Sequence, residues 1–179
     1  MVARVRLGDE GAFQLLFETH YATLCDFAQS YLHSPELAEE LVQTVFLRIW
    51  EHRVRWEPTT SVRAYLFAAS RNQALGVLKH ERIVLRAAQR ARSEEVTLGS
   101  GGAAPLPDEA AQAADLARAL GAAVDALPER RRLVVMCRWR HQLSYAEIAE
   151  VLGISVKTVE VQMGRALASL RTQLARFER

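Results

Sequence analysis

The 179 residues are half apolar and one quarter charged, with a net charge of +2, a balance that suits one ordinary domain or two small ones. No apolar run approaches the roughly 18 residues of a membrane span, and MVARVRLGDEGAF carries no apolar signal core before its first acids, so a cytoplasmic protein without direct membrane insertion is expected. Cys25 and Cys137 are too few and too far apart in sequence for a disulfide framework or a Cys-x-x-Cys metal site, and both are expected as small core residues.

In chain order, the first long helix is predicted in GAFQLLFETHYATLCDFAQSYL. Phe13, Leu16, Phe17, Tyr21, Leu24, Phe27, Ala28 and Tyr31 follow three- and four-residue steps, which puts them on one continuous, partly aromatic face. SPELAEELVQTVFLRIWEHR comes next. Ser34 supplies a cap oxygen, Pro35 suits the first helical position, and Glu36 suits the positive end of the dipole. Leu37, Leu41, Val45 and Ile49, with Ala38 and Val42, form the predicted buried stripe, while Phe46 and Trp50 fall nearer its edge. Glu39, Glu40 and Gln43 lie away from its centre, where periodicity alone reads a solvated polar face.

Pro58, Thr59 and Thr60 break the chain before a third helix capped by Ser61, over SVRAYLFAASRNQALGVLKHERIVLRAAQR. Val62, Tyr65, Leu66, Ala69, Leu75 and Leu78 are expected on its packed side. Arg71, Lys79, Arg82, Arg86 and Arg90 follow steps of 8, 3, 4 and 4 and align along another side. From Arg71 to Arg92 six basic residues face one acid, Glu81, so the stripe reads as a phosphate-contacting surface. Tyr65 and Asn72 beside it add stacking and hydrogen bonding of the kind that single-stranded nucleic acid uses. His80 within the stripe is expected to be a solvated neighbour.

TLGSGGAAPLPDE, residues 97–109, concentrates Gly, Ser and Pro without an apolar period, and is predicted to be flexible. Around it, residues 94–127 hold six acids against Arg118 alone, whereas residues 128–179 carry ten Lys or Arg against five acids. The expected architecture is all-α, in two small helical domains: residues 1–93, a linker over 94–109, and residues 110–179 entered by the helix AAQAADLARALGAAVDAL. Alternation of period two is nowhere sustained, so no strand competes.

Three short helical runs follow in the second domain. Pro128 opens one whose Leu133, Val134, Met136 and Cys137 are expected to be buried. Ser144 and Glu147 have the spacing of a capping box before the second, whose core face is Ile148, Ala149 and Leu152. Ser155 repeats the cap for the last, buried through Val159, Met163, Ala166, Leu167 and Leu170. A small residue at Ala149, Gly153 for a left-handed turn, and Val159 at the corner spell a helix-turn-helix, whose second helix enters the major groove. The predicted exposed positions there are Ser155, Val156, Lys157, Thr158, Glu160, Val161, Gln162 and Arg165. Gln162 suits an adenine edge, Glu160 a cytosine amine and Val161 a thymine methyl. Arg130, Arg131, Arg132, Arg138 and Arg140 are suited to holding the backbone.

Taken in order, AEELVQTVFLRIW, AYLFAASRNQAL, LPERRRLVVMCRW and LSYAEIAEVLGISVKTVEVQMGRALASLR resemble the bacterial RNA polymerase sigma factors of the extracytoplasmic-function (ECF) group, with the second and fourth sigma domains and little between. The resemblance implies that the helix over 38–50 docks on core RNA polymerase through Glu40, Gln43, Phe46 and Trp50, overturning the solvated reading. It implies that the next helix and the loop before it open and hold the minus-ten promoter element as a single strand, involving Tyr65, Arg71, Asn72, Lys79, Arg82 and Arg86. The helix from Ser155 would read the minus-thirty-five element of promoter DNA, through Ser155, Lys157, Thr158, Glu160, Val161, Gln162 and Arg165. It also implies an anti-sigma factor that packs the two domains together and covers the docking surface. Gly76 stands where an Asp is frequent in the family, which bears on the packing of that helix. Glu160 and Gln162 stand where a basic residue is common, which implies an altered promoter preference.

Two other classes follow less well. A helix-turn-helix repressor with a ligand-sensing N-terminal domain would need a dimer interface and a palindromic site. An enzyme would need chemistry that the residues do not spell: His20, His33, His52, His80 and His141 fit no metal-ligand spacing, and no nucleophile with a positioned base or phosphate-cradling loop occurs. No cofactor is expected. A pure interaction adaptor would leave both basic surfaces unexplained.

Overall fold

A computed structural model of the chain describes residues 1–91 and 109–175, with side chains described over 1–83 and 117–175. The expected linker therefore lies outside the described residues up to position 108, and so do the side chains of Arg86 and Arg90. Eight α-helices and one 3-10 turn make up the described residues: α1 (Val2–Arg6), α2 (Glu10–Leu32), α3 (Pro35–Glu51), the 3-10 turn Arg53–Arg55, α4 (Val62–Ala91), α5 (Glu109–Asp125), α6 (Glu129–Trp139), α7 (Tyr145–Leu152) and α8 (Val156–Leu174). No strand occurs among them. Contacts divide the chain into two compact units, Met1–Arg92 with Ala146–Ile154, and Ser93–Tyr145 with Ser155–Arg179.

The first unit is a helical bundle in which α2 packs on both α3 and α4. Its helix starts are set by the side chains that the spacing singled out. Ser34 Oγ accepts from the Leu37 amide at 3.2 Å with Pro35 at the first helical position, and Ser61 Oγ accepts from the Ala64 amide at 3.0 Å. Asp9 caps α2 by accepting from the Ala12 amide at 2.9 Å and pairs with Arg4 at 2.8 Å. The Arg4 side chain holds the Asp9 carboxyl below its ordinary pKa, with the Ala12 amide adding to the effect.

Leu16, Leu24, Phe27 and Ala28 of α2 are buried together with Val42, Val45 and Ile49 of α3 and Ala64, Leu66 and Phe67 of α4. The rings of Phe27 and Phe67 stand 4.8 Å apart and tilted at 59°, and burying each contributes about 2–3 kcal/mol. Leu37 and Leu75, expected in the packed faces, are instead exposed. Leu37 sits in the first turn of α3 and Leu75 midway along the long α4.

In the second unit α8 packs on α5 and α6. Its core joins Ala123 and Leu127 to Val134, Val135 and Cys137, and to Val159, Met163, Ala166 and Leu170. Cys137 is fully buried as expected, but Cys25 of α2 is only half-buried, and burial raises its thiol pKa, with Tyr21 hydrogen bonding acting against that shift.

Candidate protein and nucleic-acid interfaces

Packing of α2 on α3 leaves an open apolar groove of about 370 Å³, lined by Glu10, Phe13, Phe17, Gln43, Phe46, Leu47 and Trp50. Its aromatic residues touch one another: Phe13 lies 4.8 Å from Trp50 and 6.1 Å edge-on from Phe46, and Phe17 lies 4.9 Å from Phe46. Such tilted and edge-on pairs fix ring orientations that a partner side chain can fill. Phe46, expected nearer the edge, is 2% exposed, so it forms the floor rather than the rim. Leu47, 56% exposed, forms part of the rim with Gln43, whose amide nitrogen stands 3.5 Å from Tyr21 Oη. Of the four predicted docking residues the groove brings together Gln43, Phe46 and Trp50. Glu40 is exposed on α3 and does not line it. Phe13, Phe17 and Leu47 were not singled out for docking, because periodicity assigns Phe13 and Phe17 simply to a buried face.

A second concavity, about 330 Å³, opens where the end of α3 meets α4 and is lined by Val45, Arg48, Ile49, His52, Tyr65, Ala69, Asn72 and Gln73. Tyr65 and Asn72 were expected at a strand-binding surface; Arg48, His52 and Gln73 were not. Arg48 Nη1 donates to Gln73 Oε1 at 3.0 Å across 25 residues, and His52 Nδ1 lies 3.0 Å from the Arg48 carbonyl. Tyr65 meets Trp56 edge-on, with centroids 6.1 Å apart. Further along α4, Lys79 and Arg82 are exposed as the stripe requires. Arg71 is half-buried, and its Nε–H is buried without a hydrogen-bond acceptor, so an unused donor sits at the head of the stripe. The side chain of Arg86 lies outside the described residues.

At the end of α7 the Gly153 amide donates to Glu150 O at 3.2 Å and the Ile154 amide to Ala149 O at 3.0 Å, with Gly153 at φ +65°. This is the paired closure of a helix by a left-handed glycine, and a side chain at 153 would be strained in it. Two residues on, Ser155 Oγ accepts from the Thr158 amide at 3.1 Å and lies 2.8 Å from Thr158 Oγ1, capping α8. Ser155, Lys157, Glu160, Val161 and Arg165 are exposed, and so is Val156, whereas Thr158 and Gln162 are half-buried. Among the arginines expected to hold a backbone, several also brace the protein: Arg131 Nη1 donates to Ser169 Oγ at 3.4 Å, Arg132 Nη1 to Asp125 O at 3.1 Å, and Arg138 Nη1 to Leu143 O at 3.1 Å.

Residues 16–84 match the Sigma-70 region 2 family, and residues 117–170 match the Sigma-70, region 4 family. Over 98% of this chain and 96% of the relative, the sequence is 31% identical to the RNA polymerase sigma factor CarQ of Myxococcus xanthus. It is 24% identical to the ECF RNA polymerase sigma factor SigW of Bacillus subtilis, over 97% of this chain and 94% of that one. The chain belongs to the ECF group of bacterial RNA polymerase sigma factors.

A solved structure of CnrH in complex with the cytosolic domain of CnrY is similar to this sigma factor, with a TM-score of 0.64 and 26% identity over 98% of this chain and 95% of that one. The sigma factor RpoE of Bartonella quintana, solved with the anti-sigma factor NepR, shares the fold, with a TM-score of 0.65 and 21% identity over 92% and 97% of the two chains. A sigma factor directs core RNA polymerase to promoters by binding, and the catalysis belongs to the polymerase. The repressor reading has no support in these similarities. Among the described residues, no helix is long and apolar enough to cross a membrane.

Proposed function

We propose that this sigma factor divides its work among three surfaces. The α2–α3 groove docks on core polymerase, α4 and the loop before it open and hold the minus-ten element, and α8 reads the minus-thirty-five element as a duplex. The observation that carries the assignment is the order of chemistries along the chain: an apolar aromatic groove within the region 2 match, then an exposed basic run on α4, then a capped helix with polar, outward side chains within the region 4 match. Gln43 and Trp50 present the accessible docking contacts over the Phe46 floor, and Glu40 contributes from outside the groove. Tyr65 and Asn72 receive unstacked bases, while Arg71, Lys79, Arg82 and Arg86 hold phosphates. On α8, Ser155, Lys157, Thr158 and Arg165 position the helix, and Glu160, Val161 and Gln162 face base edges.

The functional modules are residues 1–93 and 110–179, with 94–109 between them. The region 4 match runs unbroken through Ala146–Ile154, which supports assigning α7 to the same module as α8. We place the protein in the cytoplasm, where polymerase and promoters are. The complex of CnrH with the cytosolic domain of CnrY supports an anti-sigma partner that restrains this protein as well.

The test is transcription in vitro from a pool of promoter fragments with core polymerase, with and without the protein. Selective initiation that depends on the protein supports the assignment, and sequencing the transcribed fragments returns both elements. Initiation that stays selective after Lys79→Ala and Gln162→Ala together would remove the DNA assignments while leaving sigma activity in place.

A further inference from the structure

The first eight residues belong to neither the groove rim nor the basic run, yet they are fastened to the turn that leads towards α4. Five-residue α1 is too short to persist alone, and it is held by fully buried Val5 and by the Arg4–Asp9 pair. Gly8, at φ +84°, turns the chain back into the α2 cap. From this anchored end, Arg6 Nε–H donates across 48 residues to the Val54 carbonyl at 3.2 Å.

Arg53 completes the attachment. Its Nη1 donates to the Trp50 carbonyl at 2.8 Å, and its guanidinium lies 4.5 Å from the centroid of the Trp50 ring. Its Nε stands 3.6 Å from where a Cβ on Gly8 would be. The 3-10 turn Arg53–Arg55 is thus gripped from α1 on one side and from the end of α3 on the other. It leaves Val54, 67% exposed, and exposed Arg55 facing solvent.

We propose that α1 braces the loop that captures the unpaired minus-ten strand, with Arg6 and Arg53 as positioning residues that hold the turn in one conformation before DNA arrives. A free loop loses conformational freedom when it binds a strand, and fixing it beforehand leaves more of the contact energy for discrimination. Arg53 also stacks on Trp50, so the same brace joins the loop to the docking groove. The inference rests on the assignment of α4 and the preceding loop to the minus-ten element.

The experiment uses holoenzyme assembled from core polymerase and the full chain, with 2-aminopurine in the minus-ten element reporting strand opening. Arg6→Ala, Arg6→Lys, Arg53→Ala and Lys79→Ala are compared on a cognate promoter and on one with substituted minus-ten bases. Arg6→Ala and Arg53→Ala are expected to lower opening about three- to tenfold and to narrow the cognate-to-substituted ratio. Arg6→Lys, which keeps a cationic donor, is expected to restore most of the ratio, and Arg6→Ala leaves polymerase affinity as in the parent. An unchanged ratio in both Arg6→Ala and Arg53→Ala, alongside impaired opening in Lys79→Ala, overturns the brace alone. If Lys79→Ala is silent as well, the minus-ten assignment falls and takes the brace with it.

Discussion

The α2–α3 groove proposed for docking and the α8 face proposed for promoter reading are built differently. The groove needs two helices: Phe13 and Phe17 come from α2, and Gln43, Phe46, Leu47 and Trp50 from α3. The α8 face needs one, since its outward side chains stand on a single helix fixed at its start by Ser155. A surface assembled from packed aromatics draws its affinity from shape and burial and responds weakly to salt. A helix face of hydrogen-bonding and charged groups discriminates one base pair at a time and depends strongly on salt.

The sharpest break between them is at Trp50. Gln43→Ala with Trp50→Ala should weaken core polymerase binding about 30- to 100-fold, the range expected when an aromatic hot spot and its rim partner are removed. The loss should persist at high salt, and helicity by circular dichroism should be unchanged. Polymerase affinity equal to the parent would remove the groove from the docking surface.

Gln162→Ala is the counterpart on α8. At one position of the upstream element the preference should fall about tenfold, as expected from loss of a base-edge contact worth roughly 1–3 kcal/mol, with little change in polymerase affinity. Binding measured across a set of single-base variants separates this from a uniform loss, which would make half-buried Gln162 a residue that positions the helix. Lys79→Ala and Arg82→Ala extend the contrast to α4. Each should flatten the salt dependence of strand binding by about 0.7 in logarithmic slope if it neutralises one phosphate of a single strand, and an unaltered slope would return both residues to the solvated surface.

Local signals were legible where one helix end or one face decides the outcome. Ser34, Ser61 and Ser155 cap the helices that they were predicted to cap, and Gly153 takes the left-handed conformation that its turn requires. On α4 the exposure of Lys79 and Arg82 was readable from charge spacing along one helix, which needs no partner to interpret. Properties set by packing between elements were less accessible. Phe46 is buried although its angular position put it near the edge of the stripe, because α2 supplies Phe13 and Phe17 to cover it. The Arg48–Gln73 and Arg6–Val54 hydrogen bonds join residues 25 and 48 positions apart, and no periodicity encodes such a meeting. Short α1 carries no periodic signal of its own, because its persistence comes from Val5 burial and the Arg4–Asp9 pair rather than from its length.

The smallest expected effect tests how far the frame beneath the groove responds to proton concentration. His20 of α2 is half-buried, and its pKa is lowered from 6.5, first by burial and then by the Arg63 cation. The folded chain therefore holds this imidazole neutral at a pH where the unfolded chain has begun to protonate it. Protonation favours the unfolded state as pH falls below about 6.5, so this group makes stability rise with pH across that window and stop changing above it. Because the ring is half-solvated the effect is screened, and a melting-temperature difference of roughly 1 °C between pH 7.5 and 5.5 is expected from it. His20→Gln should flatten that part of the profile while leaving the α8 base preference untouched. A profile identical to the parent would show that other groups set the acid response of the unit, and a changed base preference would show that the groove frame and α8 are less independent than their construction implies.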